Sequence, residues 1–522
     1  MGDVVFIESN GGLGRSLPGQ DYISGLVFYT GTLPSGFSST DRIKQIFSVS
    51  QAESLGILDD YSDETTLATG TVTLTNVGAL SDTVVIKVVE PNQTVTLASY
   101  SRLSTDTTVT LLAASIVAAI NLYTYLHGYS ATNTAGVITL TARKGLGVYL
   151  NAATKLTFTK TGTIAGSVSA DFSGGVASKL AVYHYHIAEY FRIQPQGNLY
   201  LGFFAVPSPY VFTELQTLQI FANGDIREAA VYKDGAAFST ADIQAIQAID
   251  NILFTNKMKI ESILYAADLV SVTDLATLAT LASLNSKNVS AIIGQDGYAV
   301  NATPVVDGIF TKTSTSGLGY ELFCAYGKSI TCLGASLGAV SLAAVNEDIS
   351  WVQKFNLSNG TELATPAFAN GNLYKNIAAG LLTQIDVYRY IYLRKFIGDA
   401  GTYHQDSHTA VLQSSDYAFI ENNRVIGKAE RLLYKAFLPF KSSPLPLNAD
   451  GTMQDATVAT LESTGDNALA DMLRNTELSA NATIVDPAQN VTSTSKVSIQ
   501  EKLLGVPNAK NIEITIGFVL EL

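Results

Sequence analysis

Residues 239–295 read STADIQAIQAIDNILFTNKMKIESILYAADLVSVTDLATLATLASLNSKNVSAIIGQ. Two periods alternate within this stretch. Ile243, Ile246, Ile249 and Leu253 recur at three- and four-residue spacing, which puts them on one face of a helix. Ser239 and Asp242 form a capping pair at its start. Residues 259–267, KIESILYAA, then read as a short buried strand, 273–286 as a second helix, and 288–295, NVSAIIGQ, as another strand. Helices alternating with short apolar strands predict an α/β layer with a largely parallel sheet.

Working outward, NLYLGFFAVP (198–207) and YISGLVFYTG (22–31) read as strands. Residues 38–57 read as a helix with Ile43, Ile46 and Phe47 on one face. Val4, Val5, Phe6 and Ile7 form a short strand closed by SNGG. Beyond residue 370 the sequence predicts a long helix, paired strands around 390–398 and 408–420, and a helix over 421–437 that prolines in 441–452 end. The chain closes on NIEITIGFVLEL, where Ile512, Ile514, Ile516, Phe518 and Leu520 alternate with Glu513, Thr515, Gly517, Val519 and Glu521. That is the period of a half-buried strand, whose backbone groups and apolar face both need a partner.

Between about Thr69 and Gly175 the composition changes. Threonine and valine dominate short alternating runs: TGTVTLTNV (69–77), DTVVIKVVE (82–90), QTVTLASY (93–100), GVITLTARKG (136–145) and TKLTFTKTG (154–162). One helical run, LLAASIVAAINLYTYL (111–126), sits among them. This describes a β-rich domain inserted into a chain that resumes beyond it.

At 522 residues the chain exceeds what one core supports, so two or three domains are expected. A formal net charge of −13 argues against nucleic acid or anionic membrane as partner. The start lacks the pattern of a signal peptide, and the most apolar run, 111–126, is broken by Asn121. Only Cys324 and Cys332 are present, which reads as a reducing cytosol, with both thiols as small packed hydrophobes.

GASLG places Gly334, Ser336 and Gly338 in the arrangement of a nucleophile elbow, between SITCL and LGAVSLAAV, with Asp386 and His404 or His408 downstream. No oxyanion segment precedes it, and small-residue helix packing explains the same residues. His404 and His408 are four apart, but in a loop without the glutamate of a zincin. His184 and His186 would share one face of a strand, with no third ligand. Neither GGLGRS nor the GKS ending of GLGYELFCAYGKS has the context of a phosphate loop. The sequence offers no credible catalytic, cofactor or metal site. A serine hydrolase using Ser336 and a glycan-binding surface protein stand as alternative functions.

Five stretches, taken in order, resemble the contractile tail sheath family of myophages and related injection machines. GASLGAVSLAAVNEDISWVQKFN (334–356) is similar to its small-residue helix leading through an acidic turn to a tryptophan segment. YIYLRKFIG (390–398), then DYAFIENNRVIGKAERLLYKAF (416–437) with LNADGT (447–452), then the closing NIEITIGFVLEL, follow the order of its C-terminal core. The resemblance covers about 1–65 and 180–522. The insert departs from it, and the family's RR and P-N signatures are weak here. It implies a mixed-sheet sheath core built from both chain ends, divided as 1–67, 68–178 for the insert, 179–350 and 351–522. It also implies a non-enzymatic homo-oligomer, a helical sheath of hexameric rings around an inner tube protein. Baseplate and terminator proteins would be further partners, in a virion tail assembled in the host bacterial cytoplasm. Terminal strands would pair across subunits, through Val4, Val5, Phe6, Ile7, Ile512, Ile514, Ile516, Phe518 and Leu520. On the helix 421–437, Arg424, Lys428, Arg431 and Lys435 share one face beside an apolar stripe of Val425, Ala429, Leu432 and Ala436. That basic face is the candidate surface for an acidic tube.

Overall fold

The computed structural model describes residues 21–518, so Val4, Val5, Phe6, Ile7 and Leu520 lie outside the described residues. The chain is a mixed α/β structure with several sheets. Its largest sheet comprises β1 (Ile23–Tyr29), β2 (Ile43–Ile46), β3 (Asn198–Phe204), β4 (Glu228–Ala237), β5 (Ser262–Asp268) and β6 (Val289–Ala291). The spatial order is β6-β5-β4-β1-β3-β2, and every pairing is parallel except β2 with β3. Helices on its two faces include α1 (Leu180–Ile193), α2 (Thr240–Thr255) and α3 (Leu333–Leu342), with the helix Thr213–Phe221 on the same side as α2. Because strand side chains alternate, Leu26, Phe28, Leu201 and Leu264 pack under α1 and α3, while Val27, Tyr29, Val231 and Ile263 pack under α2. A sheet covered on both faces needs strands that are apolar throughout, and β1 and β5 are buried at every position.

Several expectations need correction. Ser239 does cap α2, accepting from the Ala241 amide at 3.2 Å, but Asp242 forms an ion pair with Lys233 at 2.6 Å instead of returning to the cap. Residues 38–57 are not one helix: they give strand β2 and the short helix Val49–Ser54. Ile43 and Ile46, three apart on a strand, reach opposite faces of the sheet and join different cores. Residues 273–286 hold only a 3₁₀ turn, Leu275–Thr277. Leu275, Leu278 and Leu281 are buried at a spacing of three, a period that does not track a long α-helix face. The helix beyond 370 is short, Ala379–Val387. Of the strand read over 390–398 only Leu393–Arg394 forms, and it pairs with Tyr403–His404, not with 408–420. His184 and His186 ride on helix α1, not on a strand.

Residues 69–173 form antiparallel strands around a separate hydrophobic cluster that includes Val72, Ile86, Val95, Ile116 and Leu140. The strands at 298–307 and 310–316 complete one of its sheets, pairing Phe310 with Val95. Toward the C-terminus, α4 (Ile420–Phe437) packs on α5 (Asp455–Arg474), and α5 supports a hairpin of Leu478–Val485 with Ile499–Gly505. Helix α5 and this hairpin escape the sequence reading. At Gly465 an added Cβ would stand 2.2 Å from Thr483 Oγ1, so the glycine lets the hairpin lie against the helix.

Candidate assembly surface

Ser336 sits inside helix α3 and is wholly buried, with Oγ 2.8 Å from His404 Nε2. Burial pushes the His404 imidazole down to about 4, so it is neutral. Asp386 does not complete a triad: its Oδ1 lies 2.6 Å from His408 Nε2. The flanking glycines serve packing, since a Cβ on Gly334 would lie 2.0 Å from the His186 carbonyl oxygen and one on Gly338 2.8 Å from that of Tyr190. The strand-to-helix elbow that exposes a nucleophile is absent here; the serine is sealed between α3 and the strand of His404.

The other histidines are similarly placed. His184 contacts Glu53 at 3.2 Å, and His186 is buried against the Tyr232 ring, 4.5 Å between centroids. Burial holds His186 at about 3. Asp386, Asp406 and His408 bring ligand atoms within 4.8 Å of one another. Yet Asp386 is engaged by His408 Nε2, and Asp406 Oδ1 by Lys510 at 2.5 Å, so a cation already occupies that neighbourhood. Cys332 is buried and Cys324 half-buried, and burial pushes their thiols up to about 12 and 11.

The basic stripe of α4 does not face solvent as expected. Arg424 is 1% exposed and donates to the carbonyls of Ala343, at the end of α3, and of Asp21, at 3.0 and 2.9 Å. A cation at a helix C-terminus meets unsatisfied carbonyls there. Lys428 bridges Asp21 and Glu477, both at 2.7 Å, and Arg431 bridges Asp21 and Glu261, both at 2.7 Å. Burial works against ionising Asp21, but hydrogen bonds from Lys428 and Arg431 outweigh it and lower its pKa. Only Lys435 of the four is exposed. Arg424, Lys428 and Arg431 turn inward, because their acidic partners come from segments remote in sequence. The neighbouring stripe packs as read: Val425 and Ala429 join Leu469, Met472 and Leu478 in one cluster.

The C-terminal segment has the opposite character. After Gly505 the chain reaches Asn508, whose side chain donates to the Asn346 carbonyl at 3.2 Å, and Lys510, whose ammonium enters a carboxylate cluster. Beyond it, Ile512, Ile514, Ile516 and Phe518 are 81, 73, 89 and 109% exposed. Residues 511–518 belong to no strand among the described residues. Four alternating apolar side chains in water are an unfavourable arrangement unless something covers them. Among the described residues no helix is long and apolar enough to cross a membrane.

Residues 1–408 match the model of the DUF2586 N-terminal domain and 416–522 that of the DUF2586 C-terminal domain. No curated protein matches the sequence. Similar solved structures include contractile sheath proteins. The helical sheath of the anti-feeding prophage in its contracted state is 16% identical, with 65% of this chain and 81% of that one covered and a TM-score of 0.43. The contracted PVC sheath of an extracellular contractile injection system is 13% identical over 65% and 81%, with a TM-score of 0.39. The sheath tail protein of Listeria innocua is 9% identical over 92% and 94%, with a TM-score of 0.34.

Proposed function

The chain belongs to the DUF2586 family, and we propose that it serves as the structural subunit of a contractile tail sheath. Copies polymerise helically around an inner tube, and contraction repacks the subunits as rigid bodies. The driving free energy resides in the subunit interfaces and not in a bound nucleotide or a hydrolysed ester.

The observation that carries this reading is the exposed alternation of Ile512, Ile514, Ile516 and Phe518. Strand addition to another copy would satisfy the segment's backbone and bury its apolar face, each side chain contributing about 1.5–3 kcal/mol. An acceptor is available in the outer edge of Ile499–Gly505, which has no strand partner among the described residues, whereas the amides of Thr483 and Val485 on the other edge of the hairpin donate to Asp466 and Glu462 of α5. Donation from one copy to the next is a head-to-tail contact, which propagates as a helix when it does not close. In this reading 1–67 and 179–522 form the sheath core, except that the 298–316 hairpin joins 68–178 in an outer domain. The tube, the baseplate and a terminator are the partners, and the tail is assembled in a bacterial cytoplasm.

Deleting 511–522 tests it. The truncated protein should stay folded, with an unchanged circular dichroism spectrum and melting temperature, while concentrated protein that otherwise forms tubes in negative-stain micrographs should form none. Normal tubes from the truncated chain would overturn strand donation.

A further inference from the structure

The segment that would be donated begins at a defined point. Lys510 Nζ lies 2.5 Å from Asp348 Oδ2, 2.5 Å from Asp406 Oδ1 and 3.3 Å from Glu421 Oε1, with Ser407 Oγ at 3.2 Å. Its ammonium also stands 3.8 Å from the centroid of the Phe419 ring. The three carboxylates come from three places: the turn after α3, the loop after the Tyr403–His404 strand, and the first turn of α4. The Lys510 side chain is 23% exposed, whereas Ile512, two residues on, is 81% exposed. The change from held to free chain falls at this residue.

We infer that Lys510 is the positioning residue of the C-terminal segment, its ammonium seated in the Asp348–Asp406–Glu421 socket to fix where and in what direction the segment leaves the subunit. This rests on the strand-donation reading for its purpose, but not for its test. The socket differs from an exposed ion pair, which contributes little and is screened by salt. Here one ammonium faces three carboxylates, and the Asp348 and Glu421 side chains are 6 and 3% exposed. Withdrawing the cation leaves buried negative charges without a partner, which is strongly unfavourable. The aromatic ring beneath it adds a cation–π contact. Geometry also matters: a donated strand must meet its acceptor in register, and an error of one residue turns its apolar side chains to the wrong face. A fixed root removes that freedom before the strand finds its edge.

The same helix holds the other end of the described chain, with reversed polarity. Glu421 at the start of α4 takes Lys510, while Lys428 and Arg431 further along take Asp21. The cations that the sequence suggests for a tube are therefore used for anchoring.

The test uses the full chain in solution, with a nitroxide at Asn511→Cys in a Cys324→Ser background; Cys332 is buried. The parent should give a restricted electron paramagnetic resonance spectrum. Lys510→Met should shorten the rotational correlation time several-fold, and Lys510→Arg, which keeps the charge, should restore restriction. A second variant separates positioning from stability. Glu421→Gln added to Lys510→Met removes one of the two buried charges and should recover part of the melting temperature, while the spectrum stays mobile. A mobile parent, an unchanged spectrum in Lys510→Met, or a restricted one in the double variant would each overturn the inference. Because these spectra are read on the unassembled chain, they judge the anchor even if truncating 511–522 leaves tubes intact.

Discussion

Glu228 lies in β4 with no accessible surface, hydrogen-bonded through Oε1 to Ser24 Oγ at 3.1 Å. Burial pushes its pKa up to about 8, against the opposing pull of Arg424. A carboxyl whose folded pKa is raised contributes stability that is fully present below its unfolded value and lost as pH rises through the folded one. Asp250 and Glu421, raised to about 7, and Asp296, raised to about 8, act in the same direction, again with burial as the main cause. These four carboxyls draw stability down as pH rises from about 4.5 toward 8, while the buried neutral His186 and His404 act the other way below about 6.5, so the net fall should show between about 6.5 and 8. Glu228→Gln mimics the protonated acid. It should melt like the parent at pH 5 and several degrees higher at pH 8.5, the ionisation cost avoided being on the order of a few kcal/mol. Thermal scans across that range check this, and a parent-like decline in the variant would show that Glu228 is not the group responsible.

Among the elements, α3 carries the most misleading local sequence. GASLG spells a nucleophile elbow, yet Gly334 and Gly338 are there so that α3 can lie against α1 at van der Waals distance from its carbonyls. The two readings separate by mutation. Gly334→Ala places a methyl 2.0 Å from a backbone oxygen that cannot swing away, so the helices must part, at a cost of about 3 kcal/mol or more, the upper end of overpacking. Ser336→Ala removes one hydrogen bond to His404 and should cost about 1–3 kcal/mol, with assembly intact. Chemical denaturation of both should rank Gly334→Ala as the more destabilising, and the reverse order would refute close helix packing as the role of the motif. Much of the fold is legible from period alone: the 3.6-residue face of α2 and the apolar runs of β1, β3 and β5 each fall where read. What fails is what period cannot encode. Ile43 and Ile46 suit either a helix face or the two sides of a strand, and leucines three apart suit a turn of helix or an irregular buried segment. Helix α5 was hidden by Gly465 and its many threonines and aspartates, which are weak helix formers stabilised here by the hairpin. The face of α4 was readable, but not its direction, because Asp21, Glu261 and Glu477 reach it only through the tertiary fold.

At the scale of the whole molecule, the threonine-rich stretch is not closed upon itself in sequence. Its cluster spans Ala68 to Phe172, but Ile309 and Phe310 pack against it from another part of the chain, and Lys312 pairs with Gln93 on the strand beside them. The link continues at the base, where Asn92 Nδ2 lies 2.7 Å from Ser316 Oγ and 3.0 Å from Glu321 Oε1. If this assembly is an outer domain with its own core, it must be removed as a whole. Replacing 69–175 alone with a Gly/Ser linker should strand the 298–316 hairpin. That would uncover Ile309 and Phe310 beside Val300, Val305 and Val306, which are already exposed, and leave an unpaired apolar edge of the kind that aggregates. Replacing 69–175 and 298–316 together should instead give a soluble protein that retains the parallel sheet and still assembles. Size-exclusion chromatography, circular dichroism and micrographs of the two variants distinguish the cases. Monodisperse single-deletion protein would mean that the hairpin stands on the main core without the insert. Failure of the double deletion to fold would mean that the insert and the sheet share one cooperative unit, and the outer-domain assignment would fall with it.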